Sequence, residues 1–149
     1  GECAAVPDDV GVALVADVLE SRRPDTVVTF GPDGLTGHPD HCAVARWTAD
    51  AVRLVCPDAL LLCPSVTPSM ADEDGDINDE FDVYAPGLPA THPTEALLLD
   101  LTFGGPWLDL KEAALRAHAS QTAGLIAAIG ADRYRRWVAR EPLLAFDAY

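Results

Sequence analysis

Short apolar runs of extended character alternate along this chain with longer stretches in which apolar residues recur at helical spacing. Pro7-Asp8-Asp9 opens the first helical pattern, because proline suits a first turn and the helix dipole favours acids there. Val10, Ala13, Leu14, Ala16, Val18 and Leu19 follow at roughly helical intervals, Arg22 and Arg23 suit the closing turn, and Pro24 stops it. Thr26-Val27-Val28-Thr29-Phe30 is short, β-branched and bounded by Pro24 and Gly31, which predicts a buried strand. A glycine-rich loop, 31–37, leads into a second helix from Pro39 to about Val55, with Val44, Trp47, Ala51 and Val55 on one face. Ala59 to Cys63 reads as the next strand, ended by Pro64.

Between about Ser65 and Pro93 the chain is acidic and proline-rich with little periodicity, so it reads as a long loop with a short strand at 81–84. A strand over Ala96 to Phe103 competes with a short helix opened by Pro93-Thr94-Glu95. One helix is predicted from Leu108 to Ile129, ended by Gly130, and a short one from Asp132 to Arg140. There is no internal repeat. Helix, strand, helix, strand is the rhythm of a parallel sheet covered by helices, here in one α/β domain over residues 1–149.

Composition agrees with a folded domain: 49% of residues are hydrophobic and 23% charged. The formal charge of −14, from 24 acids against 10 Lys and Arg, repels phosphate backbones and anionic membranes, so neither nucleic acid nor membrane is an expected partner. No apolar run reaches the ~18–20 residues that span a bilayer, and the first residues lack the basic and apolar regions of a signal peptide. Cys3, Cys42, Cys56 and Cys63 contain no pair at metal-ligand spacing; they read as reduced, mostly buried thiols of a cytoplasmic protein.

Chemistry concentrates at Gly37-His38-Pro39-Asp40-His41. Pro39 at a first helical position puts His38 near the N-cap and His41 in the first turn, and side chains three apart share a face. The positive end of a helix dipole favours uncharged imidazole, the form that binds a metal ion. The loop also leaves the carboxyl end of a strand, where open α/β sheets bind ligands. Spacing alone leaves two readings open, a metal role and a capped, hydrogen-bonded surface pair.

The run Thr29-Phe-Gly-Pro-Asp-Gly-Leu-Thr-Gly-His-Pro-Asp-His41 resembles the second signature of the LmbE-like (PIG-L) deacetylases. The likeness continues through Ala45-Arg46-Trp47-Thr48 and Lys111 to Gln121, and ends near Asp132 to Trp137; Gly1-Glu2-Cys3 is similar to the middle of that family's chain. The resemblance implies a Rossmann-like fold and zinc-dependent (or other divalent-metal) hydrolysis of an N-acetyl group on an N-acetylglucosamine-type substrate. It implies that His41 binds the metal. His38 would sit by the substrate carbonyl, stabilising the oxyanion or passing a proton to the leaving amine, and Asp40 would be structural.

The same family carries a first signature, His-Pro-Asp-Asp, supplying further ligands and the general base. This chain has none: Val6-Pro7-Asp8-Asp9 has valine where the histidine belongs, and Asp8 and Asp9 read as helix-start acids. The resemblance also places the strand at Thr26 beside the family's first strand. An open edge is therefore expected there, to be covered by a missing N-terminal segment or another chain. The rival reading is a non-catalytic binding or interaction domain built on the same fold.

Three further features carry less. Asp72, Asp74 and Asp76 have the alternation of a calcium loop, but Ile77 replaces its glycine and Val83 its glutamate, which favours a solvated acidic loop. His118 reads as a helix histidine and His92 as a surface one. Trp107 in Gly104-Gly105-Pro106-Trp107 reads as core or pocket wall.

Overall fold

A computed structural model describes residues 2–149; Gly1, the start of one segment of the resemblance, lies outside them. After a 3-10 turn at Cys3–Ala5, the elements run α1 (Asp8–Arg22), β1 (Thr26–Val28), α2 (Pro39–Val55), β2 (Leu60–Pro64), α3 (Pro68–Phe81), β3 (Leu99–Thr102), α4 (Gly105–Ala117), α5 (Ala119–Ile129), α6 (Ala131–Trp137) and β4 (Arg140–Ala145). The sheet order is β1-β2-β4-β3. β1 and β2 are parallel, in the register Val27 to Leu61, as the helix–strand rhythm predicts. β4 then enters antiparallel between β2 and β3, so the sheet is mixed rather than parallel throughout.

β4 has no counterpart among the predicted strands. Arg140-Glu141-Pro142 gives little strand signal, yet Leu143 and Leu144 are buried once the strand fills the middle of the sheet. The Pro142 carbonyl accepts from the Ser65 amide, a bond the proline ring does not obstruct.

α1 crosses α2 closely. A Cβ on Gly11 would stand 2.2 Å from the Trp47 ring, so only glycine lets the helices approach this far. Ala16, Leu19, Ala51 and Val52 bury themselves between the two helices, with Val27 and Leu61 of the strands against them. Asp8 is spent on this interface: its carboxylate accepts from Trp47 Nε1 at 2.7 Å and from Arg46 at 3.1 Å, and these bonds hold its pKa down. A second cluster, Leu108, Tyr134 and Val138, lies under α4 to α6.

The acidic stretch is a helix, not a loop. Thr67 caps α3 by accepting from the Met70 amide, Pro68 occupies its start, and Ile77 buries one face. Arg133 of α6 donates to Asp76 through both terminal guanidinium nitrogens, at 2.7 and 2.5 Å, offsetting part of the acidic run. Helical backbone over Asp72 to Asp76 removes the calcium-loop geometry. Phe81 closes this helix and Asp82 turns left-handed after it, so no strand forms at 81–84.

The long helix predicted after Leu108 breaks at His118, which is exposed and serves α5 through its carbonyl, an acceptor for the Gln121 and Thr122 amides. Trp107 is 71% exposed in the first turn of α4 rather than core. Of the four free cysteines, Cys63 alone is buried, and burial pushes its thiol up to about 11.

β1 is an edge strand, shorter than the predicted Thr26 to Phe30, and none of its residues is buried, with Val28 59% exposed, so the expectation of a buried strand is corrected. Val10, Leu14 and Val18 form an exposed apolar line along α1.

Candidate active site

The backbone that carries the histidines is set by glycines. Past β1, Gly34 and Gly37 take φ of +71° and +79°, with Leu35 also left-handed at +63°. Asp33 locks the turn: its Oδ1 accepts from the Leu35 amide at 2.7 Å, and its carbonyl accepts from the Gly37 amide at 3.1 Å. α2 then begins with His38 as N-cap and Pro39 behind it, as the sequence predicts.

The two imidazole rings lie 5.0 Å apart between centroids. His38 Nδ1 accepts from the Asp40 amide at 3.2 Å. An amide N–H only donates, so Nδ1 carries the lone pair and the proton of the uncharged ring is on Nε2. His41 is the reverse. Its Nδ1 lies 3.1 Å from the Gly34 carbonyl, which only accepts, so Nδ1 carries the proton and Nε2 the lone pair. Thr36 Oγ1 stands 3.3 Å from the same nitrogen. The His41 ring is stacked on Phe30, 4.0 Å away and 4° from parallel. Loop carbonyl and aromatic wall together fix where Nε2 points, the arrangement that orients ligating histidines in metal sites.

Asp40 turns away from this chemistry. Its Oδ1 accepts from the Ala4 amide at 2.8 Å, which lowers its pKa, in keeping with a structural acid of the first turn. Among the described residues no group of three or more His, Cys, Asp or Glu is placed to hold a metal ion.

A polar cluster lies behind the loop. The Tyr149 ring covers Gly31, where a Cβ would meet it at 2.5 Å. Its hydroxyl and Asp33 Oδ2 are both buried without a hydrogen-bond partner of normal geometry, and burial, then the nearby Asp33, drives the phenol pKa upward. His92 belongs here too: its Nδ1 is 3.1 Å from Ser65 Oγ and its ring 5.0 Å from that of Tyr149. The expectation of an unpartnered surface histidine is corrected, because Ser65 and Tyr149 are distant in sequence. Phe30 and Gly34 were also not predicted as site residues. Their signal is position alone, a ring at the end of a strand and a glycine whose carbonyl rather than side chain does the work.

Fold and site define an α/β domain that presents two oppositely oriented histidines at the carboxyl end of its parallel strand pair. No family model matches the chain. Among curated proteins it is similar to the 1D-myo-inositol 2-acetamido-2-deoxy-alpha-D-glucopyranoside deacetylase of Gordonia bronchialis, 32% identical over 122 residues, covering 76% of this chain and 43% of the relative. The protein of the same name from Rhodococcus opacus is 36% identical over 132 residues, covering 78% and 44%. That from Acidothermus cellulolyticus is 31% identical over 124 residues, covering 77% and 42%. The chain thus spans less than half the length of the relatives it matches. It belongs to the LmbE-like (PIG-L) family of deacetylases.

Proposed function

We propose that this chain carries one half of a metal-dependent N-deacetylase site, acting on an N-acetylated amino sugar. What supports the reading is the opposed pair of tautomers. His41 offers a lone pair on Nε2, which a divalent ion such as Zn²⁺ requires. His38 offers an Nε2–H, which a developing oxyanion requires. A spacing of three residues would permit either atom on either ring; Gly34 and Asp40 select one arrangement. The family's named relatives act on an acetamido sugar, which agrees with an amide carbonyl as the group His38 meets.

The bound ion would supply carbonyl polarisation and an activated water. His41 holds it, with Gly34 keeping the ring from rotating and Phe30 keeping water from one face. His38 donates a hydrogen bond from Nε2–H to the carbonyl oxygen as negative charge builds there. A catalytic metal usually has three protein ligands and an open position, so the others come from polypeptide outside these 149 residues. The open edge of β1 and the apolar line on α1 are where that polypeptide, a further segment or another chain, would pack.

The test is a pair of variants in the full-length protein, read by elemental analysis and steady-state kinetics. His41→Ala is expected to lose metal and activity together. His38→Ala is expected to keep the metal and lose kcat by about 10²–10³-fold, as when one oxyanion donor is removed. The reverse pattern would exchange the roles. If neither variant changes metal or rate, the pair is structural and the non-catalytic reading of the domain replaces this one.

A further inference from the structure

A second concavity, of about 260 Å³, lies between α3, the segment 83–89 and Trp137 of α6. Ala85 and Leu88 separate it from the histidine loop. A Cβ on Gly37 would stand 2.6 Å from Ala85 Cβ and 3.1 Å from Leu88 Cδ1, and the Thr36 carbonyl accepts from the Ala85 amide at 2.9 Å. The cavity is therefore a compartment of its own, and what it binds does not depend on the deacetylase reading.

Met70, Asp74 and Asn78 enter it from successive turns of α3, four residues apart on one face. Tyr84, Leu88 and Trp137 also line it. Among the described residues no hydrogen bond reaches the Asp74 carboxyl, and burial, opposed by Arg133, makes it hold its proton more tightly than an exposed acid. Arg133 is already committed, since both its terminal nitrogens donate to Asp76. Glu73 and Asp76 add negative charge near Asp74. Burial, then Asp74, raises the Tyr84 phenol, which keeps that ring uncharged at neutral pH. An acid drawn part-way out of water without a donor costs stability, and a bound cation offsets that cost.

The walls decide which cation. A bare metal ion needs several oxygen ligands, more than one carboxyl and one amide supply. A primary ammonium has three N–H groups to satisfy. Beyond Asp74, the cavity face of α3 offers Asn78, whose Oδ1 already accepts from the Tyr84 amide at 2.8 Å. An alkylated ammonium needs few hydrogen bonds or none. Its alkyl groups suit Met70 and Leu88, and its charge suits a carboxylate beside the aromatic rings of Tyr84 and Trp137. The chain's charge of −14 draws such ions in, whereas an anion would meet Asp74 head-on. The volume lies just below the ~300–1,000 Å³ of drug-sized sites, which favours a small ion.

We propose that this cavity is a binding site for a small alkylated ammonium ion, with the Asp74 carboxylate as its counter-ion and Tyr84 and Trp137 as its aromatic walls.

The test is calorimetric titration of the full-length protein with choline, ethanolamine and 3,3-dimethylbutan-1-ol, the uncharged isostere of choline. Choline is expected to bind wild type about tenfold more tightly than either other probe. Asp74→Asn keeps the side chain's shape and removes its charge. It should weaken choline binding by about tenfold and leave that of the isostere within about twofold. Attraction to the acidic surface at large would instead survive this variant, which loses one charge among many. Nitrogen-15 NMR then locates the ion: choline should shift the indole signal of Trp137 and leave those of Trp47 and Trp107 in place. That measurement needs no change at Asp74, so it decides even if Asp74→Asn fails to fold. The proposal is overturned if choline does not bind, if either other probe binds as tightly, if Asp74→Asn binds choline like wild type, or if the Trp137 signal stays still.

Discussion

His38 and His41 are the same residue type three positions apart at one helix start, yet their hydrogen bonds leave different atoms free. The Asp40 amide occupies Nδ1 of the first ring, and the Gly34 carbonyl occupies Nδ1 of the second. Gly34 does two things that no other residue could do together. Its φ of +71° is in the left-handed region, and its missing Cβ leaves room for His41, whose own Cβ would lie 2.8 Å from one built there. Gly34→Ala should therefore lower stability by ~1–2 kcal/mol from backbone strain and also push the His41 ring off the carbonyl. Nitrogen-15 NMR of the imidazoles checks the second effect: wild type should show the Nδ1–H form at His41 and the Nε2–H form at His38, and Gly34→Ala should scramble His41 alone. An unchanged His41 tautomer would mean the carbonyl does not set it.

Among the elements, α2 has the most demanding place, because it starts at the site and is buried along most of its length. Ala43, Ala45, Trp47, Thr48, Ala49, Ala51 and Val52 are all buried, mostly small residues that let α1 lie close. The contact is tightest where Gly11 meets Trp47. On propensity alone, Gly11→Ala in the middle of α1 would gain up to ~1 kcal/mol. The collision decides otherwise: a methyl 2.2 Å from a buried ring forces the helices apart, at about 1–3 kcal/mol net, and so Tm should fall. A raised Tm would show that α1 can slide without cost. α3 is also legible only after the fact. Its acidic residues hide a helix in which Ile77 is deeply buried, and Arg133, far along the chain, joins it to α6.

At the scale of the whole molecule, the open sides matter more than the closed ones. β1 is at one end of the sheet, and Leu14, 61% exposed, lies in an apolar line on the helix that precedes it. Among the described residues no helix is long and apolar enough to cross a membrane, so this apolar surface is not a span. With no group of three or more His, Cys, Asp or Glu placed to hold a metal ion among the described residues, the 149 residues by themselves are expected to give no deacetylase turnover on N-acetylglucosamine, with or without added Zn²⁺. Turnover by the purified chain that a chelator abolishes would show that a complete ligand set exists within it.

Elements bounded by strong local signals were determined by the sequence. Pro7 and Asp8, Pro24, the glycines of 31–37 and Pro39 mark α1, β1, the site loop and α2, because each acts on its own backbone whatever surrounds it. The histidine motif was legible for the same reason, and its resemblance to a family signature pointed to the deacetylases to which the chain belongs. Tertiary structure alone decided the rest. β4 is a strand because two strands distant in sequence leave a gap between them, not because Arg140-Glu141-Pro142 prefers to extend. α3 is stabilised by a cap, one buried isoleucine and a remote arginine, none of which produces periodicity. Which imidazole nitrogen carries the proton depends on the direction of a carbonyl and an amide, and that direction exists only once the loop has closed.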